Sequence, residues 1–161
     1  MPAIASVTAA AFAREGQAVP GEARLVEQLR ASDAWLSALS LVAVDQAGEV
    51  VGHVVCSRGQ VGSAPVLGLG PLSVRPDQQR RGVGSTLVHA VLAAAEALDE
   101  PLVALLGDPA YYARFGFEPS TAYGIEAPTP DWAQYFQVRV LSGYDPELRG
   151  GFTYPKPFYD V

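Results

Sequence analysis

The stretch from Val66 to Leu106 constrains the fold most. An apolar run, Val66–Val74, leads into a turn carrying Arg80, Arg81, Gly82 and Gly84. A segment with Leu87, Val88, Val91, Leu92, Ala95 and Leu98 at helical spacing follows, and Leu102–Leu106 is again continuously apolar. Apolar residues recurring every three to four positions predict an amphipathic helix, and short unbroken apolar runs are those of strands buried on both faces. The pattern therefore predicts a strand, helix, strand unit. Its helix covers about Gly84–Leu98 and ends at Asp99-Glu100-Pro101, because proline cannot continue it. Gly68, Gly70 and Pro71 interrupt the first strand. Proline has no N–H to give to a sheet ladder, so this strand is expected to be bulged or splayed near Pro71.

Around this unit, Ile4–Ala13 and Glu22–Ser32 read as helices, the second with Leu25, Val26 and Leu29 on one stripe. Valine-rich Leu41–Asp45 and Val50–Ser57 flank Gln46-Ala47-Gly48-Glu49 and predict an antiparallel hairpin. Gly107-Asp108-Pro109 opens a short helix over Tyr111–Phe115, which Gly116 stops. Nine of the fifteen aromatic residues lie in 120–161, where Phe136–Leu141 and Phe152–Tyr154 are expected strands. A chain of 161 residues has the length of one domain, so 1–161 is expected to form one unit, with 120–161 as its aromatic-rich C-terminal extension.

Net charge narrows the function classes. At −6 the chain argues against an extended nucleic-acid surface, which needs many cations on phosphates. The positive charge is nevertheless concentrated, since residues 51–81 carry Arg58, Arg75, Arg80 and Arg81 against Asp77 alone. The single cysteine, Cys56, excludes an internal disulfide or a four-cysteine zinc site, and no metal is expected. Ala11-Phe12-Ala13 mimics a signal-cleavage site, but no basic region precedes it. The apolar helix Leu87–Leu98 is too short to span a bilayer, so a soluble cytoplasmic protein without a membrane partner is expected.

The location of the Arg80–Thr86 turn gives it meaning. A glycine-bearing turn at a helix N-terminus presents unpaired N–H groups and the positive end of the helix dipole, which together make an anion site. A P-loop is excluded because Lys156 is the only lysine, and the dinucleotide pattern fails because Gly82-Val83-Gly84-Ser85-Thr86-Leu87 lacks its third glycine. What remains is Gln79-x-x-Gly82-x-Gly84 after Leu72-Ser73-Val74-x-Pro76. This resembles the pyrophosphate-binding signature of the GCN5-related N-acetyltransferase (GNAT) superfamily. Gly107-Asp108-Pro109-Ala110-Tyr111-Tyr112-Ala113-Arg114-Phe115-Gly116-Phe117 resembles that superfamily's second acetyl-CoA motif and is similar to its YhbS-like subgroup of predicted N-acetyltransferases. One departure lies at the start. The family's first strand normally precedes the first helix, whereas only Met1, Pro2 and Ala3 stand before it here.

The resemblance implies an α/β (α+β) GNAT fold, a mixed central sheet splayed near its middle with helices on both faces. It implies acetyl-CoA as co-substrate and direct transfer of the acetyl group to a primary amine of a small molecule or peptide. Backbone groups of Leu72, Ser73 and Val74 would align the pantetheine arm like an added strand, and Gln79, Arg80, Arg81, Gly82, Val83, Gly84, Ser85 and Thr86 would hold the pyrophosphate. Tyr112 matches the position whose phenol protonates the CoA thiolate, while Tyr111 reads as packing. For the general base His53 is one candidate, as a histidine in a strand expected to face the acetyl site, beside the carboxylates Glu49, Asp77 and Glu118 or water. His89 is expected at the surface. The tail aromatics Tyr123, Trp132, Tyr135, Phe136, Phe152 and Tyr154 would pack over the sheet, wall an acceptor pocket, or meet a second subunit in a homodimer. The alternatives are a non-catalytic acyl-CoA-sensing module of the same fold and a structural interaction domain.

Overall fold

The computed structural model describes residues 2–13 and 21–160. Helices α1 (Pro2–Ala11) and α2 (Gly21–Arg30) precede three strands, β1 (Ser40–Val44), β2 (Val50–Val61) and β3 (Ala64–Val74). Then come α3 (Val83–Ala97), β4 (Leu102–Leu106) and the single turn α4 (Pro109–Tyr112). Four further strands complete the fold: β5 (Glu118–Pro119), β6 (Ile125–Glu126), β7 (Phe136–Val140) and β8 (Gly150–Thr153). The turn at Gly62 closes β2 onto β3, so both strands run longer than their apolar runs alone suggest.

The strands lie in the order β5-β7-β4-β3-β2-β8-β6, with β1 also on β2. β3 and β4 are parallel and pair only at Leu67↔Val103 and Gly68↔Ala104. Beyond that point the sheet divides: β3 stays with β2 as far as Val74, and β4 stays with β7 as far as Leu106. Between the pairs Val54↔Leu72 and Cys56↔Leu69, β3 sets Gly70 and Pro71 against Val55 alone, which is a bulge. The splay expected near Pro71 therefore has a definite form. From Leu69 to Val74, one edge of β3 has no strand beside it.

Two apolar clusters hold the wings in place. Leu87, Val88, Val91 and Ala95 of α3 meet Val54, Cys56, Leu67, Leu69 and Val103 on one face. Full burial of each Leu or Val contributes about 1.5–3 kcal/mol, so α3 is held by its inner stripe. Strand alternation turns His53, Val55 and Ser57 to the opposite face, where α1 and α2 pack. The second cluster joins Val66, Leu102 and Ala104 to Phe136, Val138, Phe152 and Tyr154. The aromatic tail thus supplies strands and core to the same sheet. Among the described residues no helix is long and apolar enough to cross a membrane.

Candidate active site

The end of β3 and the start of α3 build the first half of the site. After Val74 the chain makes one 3-10 turn at Pro76–Gln78, and the Gln79 side-chain amide donates to the Val74 carbonyl at 3.1 Å. Gly82 caps α3 with φ 83, a left-handed conformation that costs an L-residue roughly 1–2 kcal/mol. No side chain caps this end, which leaves the N–H groups of Val83, Gly84 and Ser85 at the positive end of the helix dipole. Thr86 braces the turn, since its N–H and its hydroxyl both donate to the Gly82 carbonyl, at 2.9 and 2.8 Å.

Small-molecule sites are clefts of about 300–1,000 Å³; the one beside this turn measures about 570 Å³. Leu72, Val74, Gln79, Arg80, Gly82, Gly84 and Ser85 line it. The other named residues stand elsewhere. Ser73 points to the opposite face, 1% exposed and with its hydroxyl unpartnered, and Val83 packs against the core. Arg81 and Thr86 are exposed. The far wall carries Tyr111 and Arg114 from the segment after β4. Arg114 lies 4.7 Å over the Tyr111 ring and its Nε donates to the Tyr111 carbonyl. Both lie inside the second motif, where sequence reading gives Tyr111 a packing role and has no signal for Arg114.

The second half of the site fills the gap between the two wings. Here a cavity of about 430 Å³ is bounded by Gly70, Pro71 and Leu72 of β3 and by Leu105 and Leu106 of β4. Tyr112 stands in its wall. Asp108 accepts from the Ala110 N–H at 2.9 Å and so caps α4, with Pro109 at its first position. The Tyr112 ring lies so close over Gly107 that a Cβ there would come within 2.5 Å of it. Tyr111 and Phe117 meet the Tyr112 ring edge-on at 4.9 and 5.8 Å. Burial, with a smaller effect of Tyr111, pushes its phenol up to about 12, so it keeps its proton at neutral pH. The cleft and the cavity share Phe12 and Leu72, so they meet at the open edge of β3.

The base candidates are not gathered at this junction. His53, read as facing the acetyl site, is fully buried on the α1 and α2 face, opposite Ser73, and lines neither space. Its Nε2 lies 2.8 Å from the Ser40 hydroxyl, while Nδ1 has no partner. Glu49 and Asp77 both hold the Arg75 guanidinium, at 3.3 and 2.6 Å. Glu118 accepts from the Tyr123 hydroxyl at 2.7 Å. His89 is exposed, its ring 5.0 Å from Phe115. The carboxylate that does line the cavity is Glu22, in the first turn of α2. Sequence reading had no signal for it, because helix α2 is brought to the gap only by tertiary packing.

Burial, and to a lesser degree the Arg30 charge, lowers His53 from 6.5 to about 4. The folded state therefore holds it neutral while the unfolded chain protonates it. Its contribution to stability is complete above pH 6.5 and is lost as pH falls toward 4, at most about 3 kcal/mol. Denaturant unfolding of wild type and His53→Gln at pH 7 and pH 4.5 should show wild type losing about 2 kcal/mol more than the variant. Equal losses would mean that His53 is accessible to protons in the fold.

A sheet divided beside an uncapped, glycine-led helix, with a half-buried tyrosine at the division, is an acyltransferase architecture. The chain belongs to the GNAT acetyltransferase family: the family model described as "Acetyltransferase (GNAT) family" matches residues 10–117. The N-acetyltransferase YhbS of Escherichia coli strain K12 is 36% identical over 131 residues, 80% of this chain and 76% of that protein. Its crystal structure in complex with CoA superimposes with a TM-score of 0.87 at 31% identity, covering 98% of this chain and 86% of that one. A GNAT family acetyltransferase from Brucella melitensis, solved in complex with acetyl-CoA, gives 0.78 at 34% identity over 98% of this chain and 90% of that one.

Proposed function

We propose that the protein binds acetyl-CoA along the open edge of β3 and transfers the acetyl group directly to a primary amine, with Tyr112 as general acid. The observation that carries this reading is the meeting of the two spaces at Leu72 and Phe12, with Tyr112 in the wall of the second. One space suits an anionic cofactor. The first-turn N–H groups of α3 would take the pyrophosphate, and Arg80 and Arg114 would add charge beside it. The unpaired N–H and C=O groups of β3 beyond Gly68 offer the pantetheine amides a ladder, as an added strand would find. The complexes of the two relatives with CoA and acetyl-CoA support the same choice of ligand.

In the transfer, the amine nitrogen bonds to the acetyl carbon, the carbon–sulfur bond breaks, and the sulfur takes the Tyr112 proton. The proton lost by the amine returns through solvent to the tyrosine. Acetyl-CoA at about 100 times its Kd should stabilise the protein by about 2.7 kcal/mol, which at about 2–4 °C per kcal/mol raises Tm by about 5–11 °C. Amine-dependent release of thiol should accompany it. A shift without such release would favour an acyl-CoA-sensing module, and no shift would remove the cofactor reading.

A further inference from the structure

A buried amide in the aromatic tail holds the segment that carries Tyr112. We propose that Gln137 is a positioning residue for acetyl transfer: from β7 it fixes Gly107, and through Gly107 it sets where the Tyr112 hydroxyl stands; this rests on the reading of Tyr112 as the acid. Gln137 is 2% exposed and lies between Phe136 and Val138, both in the core. In the sheet it stands opposite Leu105 of β4 on one side and Pro119 of β5 on the other. Its Nε2 donates to the Gly107 carbonyl at 3.0 Å and to the Tyr135 carbonyl at 3.3 Å. Both partners are carbonyl oxygens, so only the nitrogen end of the amide can face them.

Gly107 is the first residue past β4, and its N–H donates to the Tyr135 carbonyl at 3.0 Å. Its N–H and its carbonyl are therefore both tied to the start of the tail strand. The Tyr112 ring rests directly on Gly107, and the Asp108 carbonyl accepts from the N–H groups of Tyr111 and Tyr112, both at 3.0 Å. The backbone of Gly107 thus locates the ring twice, by contact and through the turn that follows it. A buried amide is unfavourable unless its hydrogen bonds are made, and an aliphatic side chain of the same volume would fill this place in the core equally well. Packing does not call for the amide; holding Gly107 does. Misplacing a reacting group by about 1 Å costs on the order of 100-fold in rate, so restraint at this point acts on turnover.

The test uses the full chain, isotope-labelled in its tyrosine rings, with the Tyr112 NMR signal identified by its loss in Tyr112→Phe. Gln137→Met and Gln137→Leu are close to glutamine in volume and lack the donor. They should move the Tyr112 signal more than that of Tyr154, whose ring lies 6.4 Å from Phe136 and reports any general loosening of the tail. Thiol release from acetyl-CoA with phenethylamine, spermidine or a tetrapeptide with a free N-terminus, whichever is fastest, gives the second readout. Both variants should lower kcat at least about tenfold, with the KM for the amine within about twofold and the thermal shift with acetyl-CoA retained. In the Tyr112→Phe background the same substitutions should change kcat less than about twofold, because the hydroxyl through which Gln137 acts is then gone.

A Tyr112 signal that moves no more than that of Tyr154, an unchanged kcat, or an equal loss of kcat in the two backgrounds overturns the inference. Wild-type turnover in Tyr112→Phe alone would instead sink the acid reading, and the role of Gln137 in the reaction with it. If wild type turns over none of the three amines, the ring signals decide alone.

Discussion

Tyr112→Phe should lower kcat for acetyl transfer by about 100-fold at pH 7 while leaving acetyl-CoA affinity within about twofold. General acid catalysis contributes about 10²–10⁴-fold, and a thiolate is a stable enough leaving group to place this case at the lower end. The substitution removes one hydroxyl and keeps the ring, whose contacts with Tyr111, Phe115 and Phe117 hold α4 in place. Stability should therefore change little, and the loss should appear in kcat and not in the thermal shift with acetyl-CoA. Because the folded phenol titrates only at about 12, wild-type activity should show no decline from this group between pH 7 and 10. Wild-type turnover in the variant would exclude Tyr112 as the acid.

Phe136→Ala should destabilise the protein by about 3–5 kcal/mol and lower Tm by about 6–20 °C. Phe136 is 1% exposed and opposes Leu106 across β4 and β7. Its ring lies 5.0 Å from Phe152 and 6.4 Å from Tyr154, so truncation leaves a cavity that these stiff flanking rings fill poorly. Tyr154 also lines the cavity between the wings, where Tyr112 stands. The KM for the amine should accordingly rise more than the Kd for acetyl-CoA. Thermal denaturation together with the two affinities checks this, and a loss below about 1 kcal/mol would show that the tail contributes little to the core.

Much of the cofactor side was legible before the structure. Gly82, Gly84 and Gln79 lie within six residues, and the spacing of Leu87, Val88 and Val91 forces a helix to begin there, so local sequence alone places an uncapped, glycine-led helix start beside the cleft. Pro71 likewise announced the distortion of β3, because a missing donor is a covalent property. The cavity between the wings was not legible. Phe12, Glu22, Trp132 and Phe158 are far apart in the chain, and none carries a local signature. His53 failed to reach the site for a related reason. Strand alternation places His53 and Val54 on opposite faces of β2, but only the packing of α1, α2 and α3 decides which of those faces carries which helices.

By itself, then, the sequence determined what depends on neighbours along the chain: the elements, the glycine-led helix start, the bulged strand before it and the tyrosine of the short helix. Tertiary structure decided what depends on neighbours across it. It parted β3 from β4 beyond Gly68, joined the cleft to the cavity at Leu72 and Phe12, and brought Glu22 and the aromatic tail to the same gap. The physical reason is range. Hydrogen-bond geometry and backbone sterics act over a few residues, whereas burial of apolar surface selects partners without regard to their separation in sequence.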